Sequence, residues 1–188
     1  MSSDVTVVIP TIPIRARLLR RALASVVLQT FQPAAIVVEY DHEHEGSAVT
    51  RTRALGKVTT QWTAFLDDDD SMLPMHLEKL LEAQVDTGAD VVYPWPEMVG
   101  SGDPRPDRFG VPFDADELRR GSYIPVTSLV RTELAQRVGF HYRPGSPYDD
   151  HAFYLGMLEL GARFHHLPER TWLWHVMGQN TSGRPDRW

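Results

Sequence analysis

The sequence has no cysteine in 188 residues, which excludes a disulfide framework, thiolate metal ligands and a cysteine nucleophile together. That composition fits a reducing compartment, and a cytoplasmic protein is expected. No segment approaches the roughly 18 uninterrupted apolar residues of a membrane span. Met1-Ser2-Ser3-Asp4 also lacks the basic start and apolar stretch of a leader. With no span expected, a lipid-linked acceptor would have to be met at a membrane surface. A basic excess is missing too: the net charge of -6 argues against a general nucleic-acid or anionic-membrane binder. There is no internal repeat and no heptad array. Glycine is absent from Thr11-Ile12-Pro13-Ile14-Arg15, where a nucleotidyltransferase would carry a phosphate-binding loop after its first strand.

What is present is the make-up of a soluble domain, 42% hydrophobic and 23% charged. The length suits one core, and a single domain over 1–188 is expected. Val5 to Ile9 is a β-branched run closed by Pro10 and reads as a buried strand. Leu18, Leu19, Ala22, Leu23, Val26 and Val27 recur at helical spacing, with Arg15, Arg17, Arg20 and Arg21 expected on the outer side. Ala35–Val38 and Trp62–Leu66 read as strands with a helix over Ala48–Val58 between them. Pro74 opens a helix that runs to about Thr87, where Gly88 stops it, and Val91–Tyr93 is a fourth strand. Strand alternating with helix predicts an α/β sheet with parallel neighbours. Prolines crowd the segment from 95 to 112, which reads as a long loop. Val126–Val130 is read as a strand, Thr132–Val138 and Asp149–Leu160 as helices, and Arg163–Leu167 and Thr171–Val176 as two closing strands. The tail, about 178–188, is read as irregular.

Phe65-Leu66-Asp67-Asp68-Asp69-Asp70 carries the strongest chemical signal. Four adjacent carboxylates at the end of an apolar strand repel one another and call for a counter-ion. Alternate side chains of an extended chain share a face, so Asp67 and Asp69 can point together into the crevice beyond the strand's carboxyl end. A hard divalent cation, Mg2+ or Mn2+, held by few carboxylates and completed by substrate phosphates, suits that geometry. The competing reading is a solvated acidic turn that only caps the next helix. His42-Glu43-His44-Glu45 alternates similar groups in a loop and reads as solvated.

Val7-Val8-Ile9-Pro10-Thr11, Arg51 in its helix, the aspartate run and Tyr148-Asp149-Asp150 before a helix resemble, in order and spacing, the inverting family 2 glycosyltransferases. The resemblance extends from Val5 to about Ser182. It implies the type A glycosyltransferase fold, a Rossmann-like, mostly parallel central sheet with helices on both faces. It also implies metal-dependent transfer of a sugar from a nucleoside diphosphate sugar to an acceptor hydroxyl. By this resemblance Pro10, Thr11, Arg15 and Glu39 or Asp41 lie at the donor nucleoside. Asp67 and Asp68 belong to the donor element, and Asp69 is the direct metal ligand. Arg51 faces the nucleotide or braces the aspartates; as a bare sequence feature it reads equally as a surface helix arginine. Asp150 is the base that takes the acceptor proton, against the plainer reading of Asp149 and Asp150 as helix-capping acids. His175 completes the metal site or touches the diphosphate.

The match departs from the family in places. Nine residues separate Asp41 from Arg51, where relatives insert a helix and a strand, so a trimmed nucleotide pocket is expected. Thr52 follows the arginine where asparagine is usual. No long extension follows to build an acceptor site, which implies an acceptor that is small, surface-presented or shared with another subunit. The rival readings are a nucleotide-sugar-binding protein without turnover and a nucleotidyltransferase.

Overall fold

The computed structural model describes residues 4–100, 111–146 and 148–176. The expected tail, about 178–188, and the middle of the expected loop lie outside them. Among the described residues seven strands and six α-helices follow one another, with a 3-10 turn at Pro13–Arg15: β1 Val5–Thr11, α1 Ala16–Val27, β2 Ala35–Tyr40, α2 Ser47–Leu55, β3 Trp62–Phe65, β4 Ser71–Met72, α3 His76–Thr87, β5 Val91–Gly100, α4 Ala115–Arg120, β6 Leu129–Arg131, α5 Thr132–Val138, α6 Asp149–Glu159 and β7 Phe164–Val176. The strands form one sheet in the order β2-β1-β3-β6-β5-β7-β4. β1 runs parallel to β2 and to β3, and β5 parallel to β7; the short antiparallel β6 joins these two blocks. Most paired positions are therefore parallel, as a strand–helix alternation requires.

The period-two pattern of β1 explains the two-sided core. Val5, Val7 and Ile9 face α1 and α3 with Leu19, Ala22, Val26, Leu77 and Leu80. Val8 and Phe65 face the other side with Ala54, Leu55, Phe153, Tyr154 and Met157 of α2 and α6. On that side Phe140 stacks on Phe153 with ring centroids 4.1 Å apart, and Phe65 meets both edge-on. Phe153 is fully buried. Phe153→Ala is expected to cost about 3–5 kcal/mol of stability, read as a fall in the urea midpoint. A loss under about 1 kcal/mol would mean that this face is not the core.

Three expectations change. Residues 95–100 are not loop but the second half of β5, paired in parallel with β7. Pro94 and Pro96 are tolerated because the register shifts around Trp95, and because β6 pairs only with Val91 and Val92. The two closing strands are one, β7, which carries the extra residues 168, 169 and 171 at the register shifts. Residues 126–128 lie outside β6, which begins at Leu129. Helix α4 and strand β4 were not expected. α4 starts where Asp114 accepts bonds from Asp116 N at 2.8 Å and Glu117 N at 2.9 Å, a cap legible in Asp114-Ala115-Asp116-Glu117. Gly88 ends α3 with φ 64, the left-handed conformation that glycine adopts without Cβ strain.

Candidate active site

Topology delivers the first group of side chains. Because β1 lies between β2 and β3, the three chain exits stand side by side. Leu66 N bonds Val8 O at 3.0 Å, and Asp41 N bonds Thr11 O at 2.8 Å. The aspartate run therefore turns under the exit of β1, beyond the carboxyl ends of parallel strands, where open α/β sheets take ligands.

The four aspartates divide by direction. Asp68, 2% exposed, points back toward β1, where Thr11 Oγ1 donates to it at 2.6 Å and Arg15 Nη1 at 2.7 Å. Burial still lifts its pKa above the usual carboxylate range, against those two donors. Asp67, Asp69 and Asp70 converge instead: each offers a carboxylate oxygen, all within 4.8 Å of one another. Burial and the Asp67 carboxylate push Asp69 up to about 6, although Arg15 Nη2 stands 3.5 Å away. Burial and the charges of Asp69 and Asp67 raise Asp70 well above its ordinary value. Burial and mutual repulsion thus disfavour the charged forms of Asp69 and Asp70.

His175 arrives from β7 beside this cluster. Its backbone N donates to Asp70 at 3.0 Å, and its Nε2 lies 3.3 Å from Ser71 Oγ. Burial, with Arg21 nearby, lowers its pKa and favours the neutral imidazole that can ligate a metal. Arg21 donates to the Asp69 carbonyl. Arg15, just before α1, and Arg21 of α1 thus turn inward, contrary to their expected outer placement, because the acidic turn offers them carboxylate and carbonyl partners.

The second group lies at the start of α6. Asp149 Oδ2 accepts from Arg51 Nη1 at 2.6 Å and from Ser47 Oγ at 3.2 Å. Arg51 Nη2 reaches Asp67 at 2.5 Å. Arg51 is only 6% exposed, so it is not a surface arginine. Asp150 Oδ1 accepts from His151 N at 2.6 Å, and burial with the neighbouring Asp149 charge pushes its pKa up to about 7. A carboxylate poised there is suited to accept a proton near neutral pH. Tyr142, 49% exposed, stands near this turn with its hydroxyl 3.4 Å from Ser47 Oγ.

Glu39 and Asp41 sit at the end of β2 but are already engaged. Although burial works to raise it, Glu39 is held below the usual range by bonds from Lys57 and Arg53, the latter at 2.6 Å. Asp41 likewise stays low against burial, because Glu45 N at 2.9 Å and Gly46 N at 2.8 Å donate to it. Both carboxylates fix the loop and helix after β2. Pro10 lies within the Thr11 exit at the β1–β2 pairing. The sequence reading missed three participants: Asp70 in the converging group, Asp149 as the partner of Arg51, and Arg21. Asp70 stood in the run itself, and Asp149 stood in the Tyr148-Asp149-Asp150 motif without a role of its own; Arg21 had no sequence signal.

This architecture is the type A glycosyltransferase fold. Residues 34–120 match the family model described as glycosyl transferase family 2, the family that the sequence resembles. TarS of S. aureus, residues 1–349 in complex with UDP-GlcNAc, superposes with a TM-score of 0.72 at 17% identity over 92% of this chain and 58% of that one. The same protein with UDP gives a TM-score of 0.69 at 17% identity, over 93% and 61%. The mannosyltransferase PcManGT from Pyrobaculum calidifontis, in complex with GDP-Man and Mn2+, gives 0.65 at 17% identity, over 93% and 57%. The chain thus spans 57–61% of these solved chains, and 37% of the longer TarS chain. No curated protein matches it by sequence. Among the described residues, no helix is long and apolar enough to cross a membrane.

Proposed function

We propose that this chain transfers a sugar from a nucleoside diphosphate sugar to an acceptor hydroxyl, with inversion, in the cytoplasm. The observation that carries the reading is the junction at Arg51. One buried guanidinium joins Asp67 of the donor-side cluster to Asp149, the neighbour of Asp150, so two carboxylate groups of different role share one crevice. Similarity to proteins solved with UDP, UDP-GlcNAc and GDP-Man supports a nucleotide-sugar donor. Those neighbours differ in nucleotide, so no base is carried over.

Asp67, Asp69 and Asp70 fit a hard divalent cation, Mn2+ or Mg2+, since they form an all-oxygen set within 4.8 Å in which the carboxylates repel one another. Asp69 would bind the ion directly, and His175 beside Asp70 would complete the set. When bound, the cation would neutralise charge developing on the departing diphosphate. Pro10, Thr11 and Arg15 line the nucleoside side, the latter two by holding Asp68. Glu39 and Asp41 shape that side by fixing α2 and its preceding loop. Asp150 accepts the proton of the acceptor hydroxyl as its oxygen bonds the anomeric carbon and the sugar–diphosphate bond breaks, the electron pair leaving with the diphosphate.

The test is a thermal-shift and turnover screen against UDP, GDP, CDP and dTDP sugars with Mn2+, Mg2+ or chelator. One donor is expected to raise the melting point only with metal and to release its nucleoside diphosphate faster with acceptor. Donor binding without release in any acceptor mixture would sink the enzyme reading in favour of a nucleotide-sugar-binding protein.

A further inference from the structure

We infer that Arg51 is a positioning residue that fixes the acceptor-side base against the donor-side carboxylates. The inference rests on the transferase reading above. Both terminal nitrogens of Arg51 are spent on carboxylates, Nη2 on Asp67 at 2.5 Å and Nη1 on Asp149 at 2.6 Å. Its Nε is buried and has no hydrogen-bond partner among the described residues. Two of the five N–H groups are thus committed to carboxylates from two other segments, and Nε–H is enclosed by protein.

The surroundings hold the guanidinium in that place. The Phe140 ring lies under it, 5.6 Å from the guanidinium carbon to the ring centroid. Phe140 is in turn fastened by Thr52, whose hydroxyl accepts from Phe140 N at 2.7 Å and donates to Phe140 O at 3.0 Å. Thr52, which stands where relatives carry asparagine, therefore has a task in this chain. Phe140 stacks on Phe153 of α6, which ties the same plate to the helix that bears Asp149 and Asp150. Ser47, one turn before Arg51 on α2, donates to the very oxygen that Arg51 Nη1 uses. α2 thus grips the first turn of α6 at two points, and Asp150 is the next residue of that turn.

A planar fork can bridge two carboxylates at fixed separation, whereas an ammonium is a point donor on a flexible stem. Arg51→Lys keeps the charge but cannot hold both partners. The expected result is a fall in kcat of roughly 100-fold, the size seen when reacting groups are misplaced by about 1 Å. Donor KM and nucleoside diphosphate affinity should stay within about twofold of wild type. In an Asp150→Asn background, Arg51→Lys should add no further loss, since it acts through that carboxylate. A weakened donor affinity at unchanged kcat, or full additivity with Asp150→Asn, would overturn the inference. If Arg51→Lys does not fold, Ser47→Ala carries the same test with Arg51 intact: a smaller kcat loss at constant KM supports the clamp, and an unaltered kcat overturns it. Wild-type protein that turns over none of the donors would remove the transferase reading, and this inference with it. Wild-type turnover with the opposite split removes the inference alone.

Discussion

Asp150→Asn is expected to lower kcat for sugar transfer by about 10²–10⁴-fold while leaving donor affinity in place. The carboxylate stands beside Asp149 in a buried turn, and burial, aided by that neighbour, pushes its pKa up to about 7. As a base it works only when ionised, so wild-type kcat should rise as pH passes through about 7, and the Asn variant should lose that limb. Stability should move the other way. The folded pKa is raised above the unfolded value of 3.8, so the protonated group's contribution is fully present below that value and is lost as pH rises through about 7. Asn cannot ionise and avoids the loss. At pH 8 the inactive variant should therefore melt higher than wild type, by roughly 2–4 °C for each 1 kcal/mol relieved, with little difference near pH 4. A variant that melts lower at pH 8 and also loses donor affinity would recast Asp150 as a structural cap of α6.

The sequence made the frame of this site legible because local rules governed it. The alternation of Val5, Val7 and Ile9 marked β1, the helical spacing from Leu18 marked α1, and an aspartate run at the end of an apolar strand marked the candidate site. Legibility failed where a partner distant in the chain decided the outcome. Pro94 and Pro96 argue locally for a loop, yet pairing with β7 keeps β5 going through a register shift. Helix α2 has no broad apolar face, so nothing local says that Arg51 is buried; its burial depends on Asp67 and Asp149 arriving from two other segments. Glu39 looked available to a nucleobase because the cations that occupy it, Arg53 and Lys57, come back from the following helix. The chemistry-bearing residues could be listed from sequence, but their pairing could not.

That pairing brings three carboxylates together at one place, and the second large effect is expected there. Asp67, Asp69 and Asp70 bring carboxylate oxygens within 4.8 Å of one another. Arg51 serves the first, and Arg15 is shared between Asp68 and Asp69. Asp70 takes a backbone N–H from His175. Mn2+ should therefore bind the folded state in preference to the unfolded chain, where the three groups separate. At about 100 times its dissociation constant a ligand of that kind adds about 2.7 kcal/mol. For a chain of this size that corresponds to a rise in melting temperature of roughly 5–10 °C, reversed by chelator. Asp69→Asn should abolish the rise. It should also make the metal-free protein more stable than metal-free wild type, because a buried like charge is gone while its neighbours keep their partners. These two results together separate a metal site from an acidic cap. A cap would lose stability on Asp69→Asn and respond to no ion, whereas a site built for a cation is strained without one and is relieved either by the ion or by deleting a charge.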